Sequence, residues 1–258
     1  MSQTALFLSV TILLCLGMIL SQEVGRRIGL RYLARSPQKG LHGTGVIDGG
    51  IFAVWGLLLA FTFSGAANRF DERRSLVGQE ANDVGTAYLR LDLLSPKAQE
   101  PLQQLFRQYL ETRLETYQKA SDEAAWKETL ARSIGLQNEI WKQATIACQQ
   151  ANQPLAGMLL LPALNAMIDI TTTRLVATKN HPPMVVYFLL LVLSFCCAML
   201  IGFNQAEEKY RHWFHTSWFV MITTLIIYVI IDMEFPRVGL IRVDSIDQVL
   251  VQTLESMK

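Results

Sequence analysis

The sequence predicts an all-α membrane protein: four transmembrane helices with an all-helical extramembrane insert between the second and third. Three observations carry this. Of the 258 residues, 51% are apolar and only 17% charged, with a mean hydropathy of +0.25, and the apolar residues gather into separate runs. Those runs are long enough to cross a bilayer. Between the second and third run, about 110 residues show helical spacing of apolar side chains and no alternating strand pattern. The boundaries read from the chain are 1–67 (spans 1 and 2 with a basic connecting loop), 68–183 (the helical domain), 184–235 (spans 3 and 4) and 236–258 (a tail). A net charge of +1 provides no basic field, and no basic aromatic module is present, so nucleic acid is not an expected partner.

The first run, Thr4 to Leu20, is near the minimum length of a span. A cleaved signal peptide competes with this reading. Against it, no Lys or Arg precedes the run, no small-x-small cleavage pattern closes it, and arginines follow it. The loop 21–43 then sets Arg26, Arg27, Arg31, Arg35 and Lys39 against the single acid Glu23, so it is expected to be cytoplasmic. Val24, Ile28, Leu30 and Leu33 recur with partial helical spacing, as in a segment lying along headgroups.

The second run is the most informative. Wound at about 100° per residue, it sorts into three faces. Gly49, Ala53, Gly56, Ala60 and Ser64 form a small-residue stripe with Ala67, expected to let another helix approach closely. Val54, Leu57, Leu58 and Phe61 make a bulky apolar face for lipid or a large neighbour. Asp48, Phe52, Trp55, Leu59, Thr62, Ala66, Arg69 and Arg73 form the third, with polar ends around an apolar waist. A pore-lining helix with a hydrophobic constriction has this pattern, and so does a helix with charged headgroup boundaries whose aromatic residues pack inside a bundle.

After this span the chain runs without Pro to Ser95-Pro96, so one helix on the order of 70 Å long is expected. Ser95 reads as an N-cap with Pro96 at the first helical position. The helix to about Lys119 buries Leu102, Leu105, Phe106, Tyr109, Leu110 and Leu114. The next, capped at Ser121, buries Trp126, Leu130, Ile134, Ile140 and Trp141, with Gly135 a candidate break. Residues 154–180 form a further helix in which Asn165, Asp169 and Arg174 stand in an apolar background. They read either as an ion or ligand contact or as a polar lock, with Asp169 accepting from Thr hydroxyls or pairing with an arginine of 69–74 or with Arg90.

Span 3 runs from Met184 to Phe203 and span 4 from Trp218 to Ile231, with Trp213, Phe214 and Tyr228 as interfacial anchors. Glu208, His212 and His215 lie at helical spacing between them, but juxtamembrane histidines of this kind are ordinarily solvated, and no metal site is assigned. Ile246, Val249, Leu250 and Leu254 give the tail an amphipathic helix suited to docking on the helical domain. No phosphate loop, Cys-x-x-Cys, His-Glu-x-x-His or Gly-x-Ser-x-Gly is present, so neither an enzyme nor a cofactor is expected.

The organisation, together with LLLAFTFSGAANRFDERR (57–74), QEANDVGTAYLRLDLL (79–94), LPALNAMIDITTTR (161–174) and FPRVGLIRVD (235–244), resembles the bacterial family of membrane proteins with a bestrophin-like domain. Bestrophins are homopentameric anion channels whose second span lines the pore. The resemblance therefore implies a homo-oligomer, a pentamer in that family, embedded in membrane lipid and conducting inorganic anions such as chloride. By position it implies a neck of Phe52, Trp55 and Leu59, with Thr62, Arg69 and Arg73 beyond. The acidic calcium cluster of animal bestrophins has no counterpart, so calcium gating is not implied. A non-conducting scaffold or sensor, with the helical domain binding a partner, is the alternative. A transporter is a weaker option, because the second span lacks a Pro-broken helix and no inverted repeat is visible.

Overall fold

A computed structural model of the chain describes residues 3–35, 45–119, 122–150, 154–208, 210–235, 240–241 and 247–257. Among the described residues eight α-helices follow one another: α1 (Gln3–Arg35), α2 (Gly45–Leu89), α3 (Pro96–Gln118), α4 (Glu123–Gln150), α5 (Pro154–Lys179), α6 (Met184–Asn204), α7 (Trp213–Glu234) and α8 (Gln248–Ser256). A 3-10 turn, Arg90–Leu93, closes α2, and no strand occurs among the described residues. Among the described residues four segments are long and apolar enough to cross a membrane: Ser9–Arg35, Gly45–Leu93, Leu155–Asn204 and Trp213–Glu234. Lys39, the Ser121 cap, Ile246 and most of the 235–244 motif lie outside the described residues.

The chain divides into two compact units, Met1–Asn68 with His181–Gly239 and Arg69–Asn180 with Leu240–Lys258. In the first, α1 and α6 run parallel and nearly touch. A Cβ on Gly25 would sit 1.9 Å from the Met199 carbonyl oxygen, and one on Gly202 would sit 1.9 Å from that of Gln22. Gly17 meets Phe195 and Gly29 meets Ala206 along the same seam, so glycine is required where the backbones cross. The helix α1 also continues through the arginine-rich stretch as far as Arg35 rather than ending at Leu20.

The second unit has a large apolar core, with Leu76, Ile170 and Ala177 forming a smaller cluster of their own. Val77, Val84 and Leu91 meet Leu102, Phe106, Tyr109 and Leu110 of α3, Ile140 and Ala144 of α4, and Leu160, Leu164 and Met167 of α5. Each large side chain fully buried there contributes about 1.5–3 kcal/mol. The expected face of α3 is the buried one, with Leu105 and Leu114 at its edge. In α4 the expectation is corrected: Ile134 is exposed and Trp126 and Leu130 are half-buried, while Thr129, Ser133, Gln137 and Ile140 turn inward. The inward residues are mostly polar because the core beside them contains charged groups, described below. Gly135 does not break the helix.

The caps differ in detail from the expectation. Ser95 occupies the N-cap position of α3 with Pro96 following, but its hydroxyl makes no capping bond. For α4 the cap is Asp122, whose Oδ1 accepts from the Ala124 and Ala125 amides at 3.1 and 3.2 Å. The tail helix α8 packs on α3 through Leu250, and Tyr88 donates its hydroxyl to the Met257 carbonyl at 3.1 Å.

Candidate functional site

The second span is built as a helix with one covered and one bare side. The covered side is the one expected to line a pore. Trp55 donates its indole N–H to Ser194 Oγ at 3.0 Å, Asn204 donates to Asp48 Oδ2 at 2.9 Å, and Phe52 meets Phe219 edge-on with ring centroids 6.1 Å apart. Leu59, Thr62 and Ala66 are buried, and the Thr62 hydroxyl bonds back to the Leu58 carbonyl. Asp48, Phe52 and Trp55 therefore meet side chains of α6 and α7 in their own subunit. The reason is polar satisfaction: an indole N–H and a carboxylate in an apolar bundle need partners, and spans 3 and 4 supply them.

Arg73 is likewise committed. Its guanidinium is buried and donates to the carbonyls of Ala177 (3.0 Å) and Asn180 (2.8 Å), closing the C-terminal end of α5. Arg69 is half-buried.

The stripe expected to receive a neighbouring helix is bare within the subunit. Gly49, Ala53, Ala60 and Ser64 are exposed, Gly56 is half-buried, and a Cβ on Gly49 or Gly56 would meet nothing within 4 Å. Beside it stand Val54, Leu57 and Phe61, which are 59%, 56% and 68% exposed. The close helix approach lies instead at the glycines of α1 and α6. Their spacing, Gly17, Gly25 and Gly29 on one side of a helix, was the available signal.

The polar lock also lies elsewhere. Asn165 and Asp169 are exposed, so neither belongs to a buried network. Arg174 does, and its partner is Glu80, a residue with no exposed surface. Glu80 also accepts from Arg113 Nε at 2.7 Å and from the Tyr117 hydroxyl at 2.7 Å, while both guanidiniums lie against the Tyr117 ring, at 4.8 and 4.0 Å. Burial alone would raise the Glu80 pKa, but the two arginines outweigh it and hold the carboxyl at about 2. Burial raises the Tyr117 hydroxyl well above its ordinary value. Gln137 reaches the adjoining Tyr109 hydroxyl at 3.1 Å, which accounts for the polar inward side of α4. Glu80 falls in helical phase with Val84, Ala87 and Leu91, all buried, and that phasing was the readable clue.

Between α6 and α7, His212 lies 3.9 Å from Glu208 and packs edge-on to His215. Among the described residues no three His, Cys, Asp or Glu side chains gather as metal ligands.

Fold and spans together define a four-span helical membrane protein with a helical extramembrane unit. Residues 42–246 match the family model of the Bestrophin-like domain, and the chain belongs to that family. None of the curated proteins compared matches significantly in sequence. The fold is shared with crystal structures of variants of a bacterial bestrophin homologue from Klebsiella pneumoniae. Three of these superpose with TM-scores of 0.74, 0.72 and 0.71 at 15%, 14% and 14% identity, covering 97%, 95% and 93% of this chain and 97%, 98% and 97% of theirs.

Proposed function

We propose that the chain is the subunit of a homo-oligomeric, bestrophin-like ion channel in the inner membrane, a pentamer in the arrangement the family implies. The second span supplies the wall of the path with the side its own subunit leaves bare. One observation supports this: α2 has its polar side fully engaged at Asp48 and Trp55, yet presents Ala53, Leu57, Phe61 and Ser64 as an uncovered ridge. Four helices cannot both enclose water and screen it from lipid, so a path needs several copies around an axis. On that axis Leu57 and Phe61, about one turn apart, form the apolar waist, and the small residues beside them allow neighbouring copies of α2 to approach.

Chloride is the proposed ion, on the family likeness. Arg73 no longer supports it, because its guanidinium is occupied, and the ridge continues past Ser64 to the exposed Asn68 and Asp71. A cation path is therefore the second reading. Purified protein in liposomes decides among these, by ion flux and reversal potential under opposed chloride and sodium gradients. Conduction altered by Leu57→Ala and by Phe61→Ala supports the channel. Absence of flux for either ion rejects it in favour of the non-conducting scaffold. The basic loop 21–43 is proposed to be cytoplasmic.

A further inference from the structure

A cleft of about 370 Å³, counted to its solvent edge, opens among α1, α6 and α7 where the apolar runs of all three helices end. Gln22 and Arg26 come from α1, Gly202 and Gln205 from the end of α6, and Arg211 and Trp213 from the start of α7. Four observations bear on what it takes. The Nε of Arg26 is buried and meets no acceptor among the described residues, and such a donor costs about 1–3 kcal/mol if left unmet. The one acid at the cleft, Glu23, is already held by Arg27 at 2.9 Å and by Arg211. Arg26 and Arg211 against that one carboxylate leave the wall positive. Finally, Ile19 joins the cleft, and Leu16 and Leu20 beside it on α1 are exposed, continuing the site into an apolar surface.

An anion with a hydrocarbon body satisfies all four conditions. We propose that this cleft binds the phosphate group of an anionic phospholipid, with Arg26 donating to the phosphate, Trp213 at headgroup level and the acyl chains along Leu16, Ile19 and Leu20. The depth is right for it, since glutamine, arginine and tryptophan mark the boundary between apolar span and water on all three helices. Bare phosphate would meet Arg26 equally but would leave the apolar flank unused.

Native mass spectrometry of the purified full chain tests this, with phosphatidylglycerol, phosphatidylcholine of the same acyl chains, and inorganic phosphate as probes. The wild type is expected to retain phosphatidylglycerol about tenfold over phosphatidylcholine, because both lipids offer Arg26 the same phosphate but only the choline headgroup sets a cation against the positive wall. Arg26→Gln is expected to abolish that preference and Arg26→Lys to weaken it. Arg35→Gln, an exposed arginine on the same helix carrying the same charge change, is expected to leave it intact. Equal retention of the two lipids, or equal losses in the Arg26 and Arg35 variants, overturns the proposal. Displacement of phosphatidylglycerol by inorganic phosphate assigns the site to a free anion and overturns it too. The melting temperature of the wild type alone provides a separate check, because phosphatidylglycerol must raise it more than phosphatidylcholine does.

Discussion

Trp55 donates to Ser194 Oγ across 3.0 Å, and Ser194 in turn donates to the Leu190 carbonyl at 2.7 Å. This relay fixes the rotation of α2 about its own axis. Trp55→Phe is expected to lower thermal stability in detergent by about 1 kcal/mol, as is Ser194→Ala. Because both remove the same bond, the double variant is expected to lose less than the sum. Strict additivity in the melting data would mean that the bond does not form.

Glycines in the two crowded and uncrowded positions are expected to respond oppositely. Gly25→Ala and Gly202→Ala force a methyl group onto a backbone carbonyl and should cost about 1–3 kcal/mol each, read by thermal unfolding. Gly49→Ala and Gly56→Ala meet no atom of their own subunit. Their effect, if copies of α2 meet along that side, appears in the subunit count by particle imaging and not in the subunit's own fold.

Glu80 makes the pH dependence of the helical unit calculable in sign. Its carboxyl titrates near 4.5 when unfolded and at about 2 when folded. A depressed value means the stabilisation is complete above about pH 4.5 and is lost as pH falls towards 2. Glu80→Gln strands two buried arginines and is expected to cost about 3–5 kcal/mol at neutral pH. The gap between variant and wild type, followed by melting at successive pH values, should narrow below pH 4.5.

Lys119, exposed at the end of α3 and paired with Glu115 four residues earlier at 2.6 Å, is a suitable position for a topology probe. The charge bias of loop 21–43 predicts that Lys119→Cys reacts with an impermeant maleimide applied outside the inner membrane, above the background of the unsubstituted chain. Reaction only after permeabilisation would put the insert in the cytoplasm and reverse that orientation.

The fold was legible because its signals are local. Apolar run length located the spans, Ser95-Pro96 located the start of α3, and spacing located its buried face. The rotation of α2 was not legible, because Asp48, Trp55 and Thr62 have the same periodicity whether water or a neighbouring helix satisfies them. Only the positions of Ser194 and Asn204, on a span more than a hundred residues away, distinguish the two. Asn165 and Asp169 misled for a related reason: polar residues in an apolar helix imply a partner only if that side is buried, and it is not. Glu80 escaped notice because a glutamate beside Gln79 and Asn82 reads as a solvated surface.

Arg73 finds its acceptors 104 residues downstream at Ala177 and a little further on at Asn180. During synthesis at about 5–20 residues per second, roughly 5 to 20 seconds pass between the emergence of this arginine and of the carbonyls it will close. The nascent chain must therefore keep a cation waiting, beside a freshly inserted span, until the last helix of its central segment has been made. Ribosome-arrested chains ending on either side of Asn180 should differ in their resistance to protease.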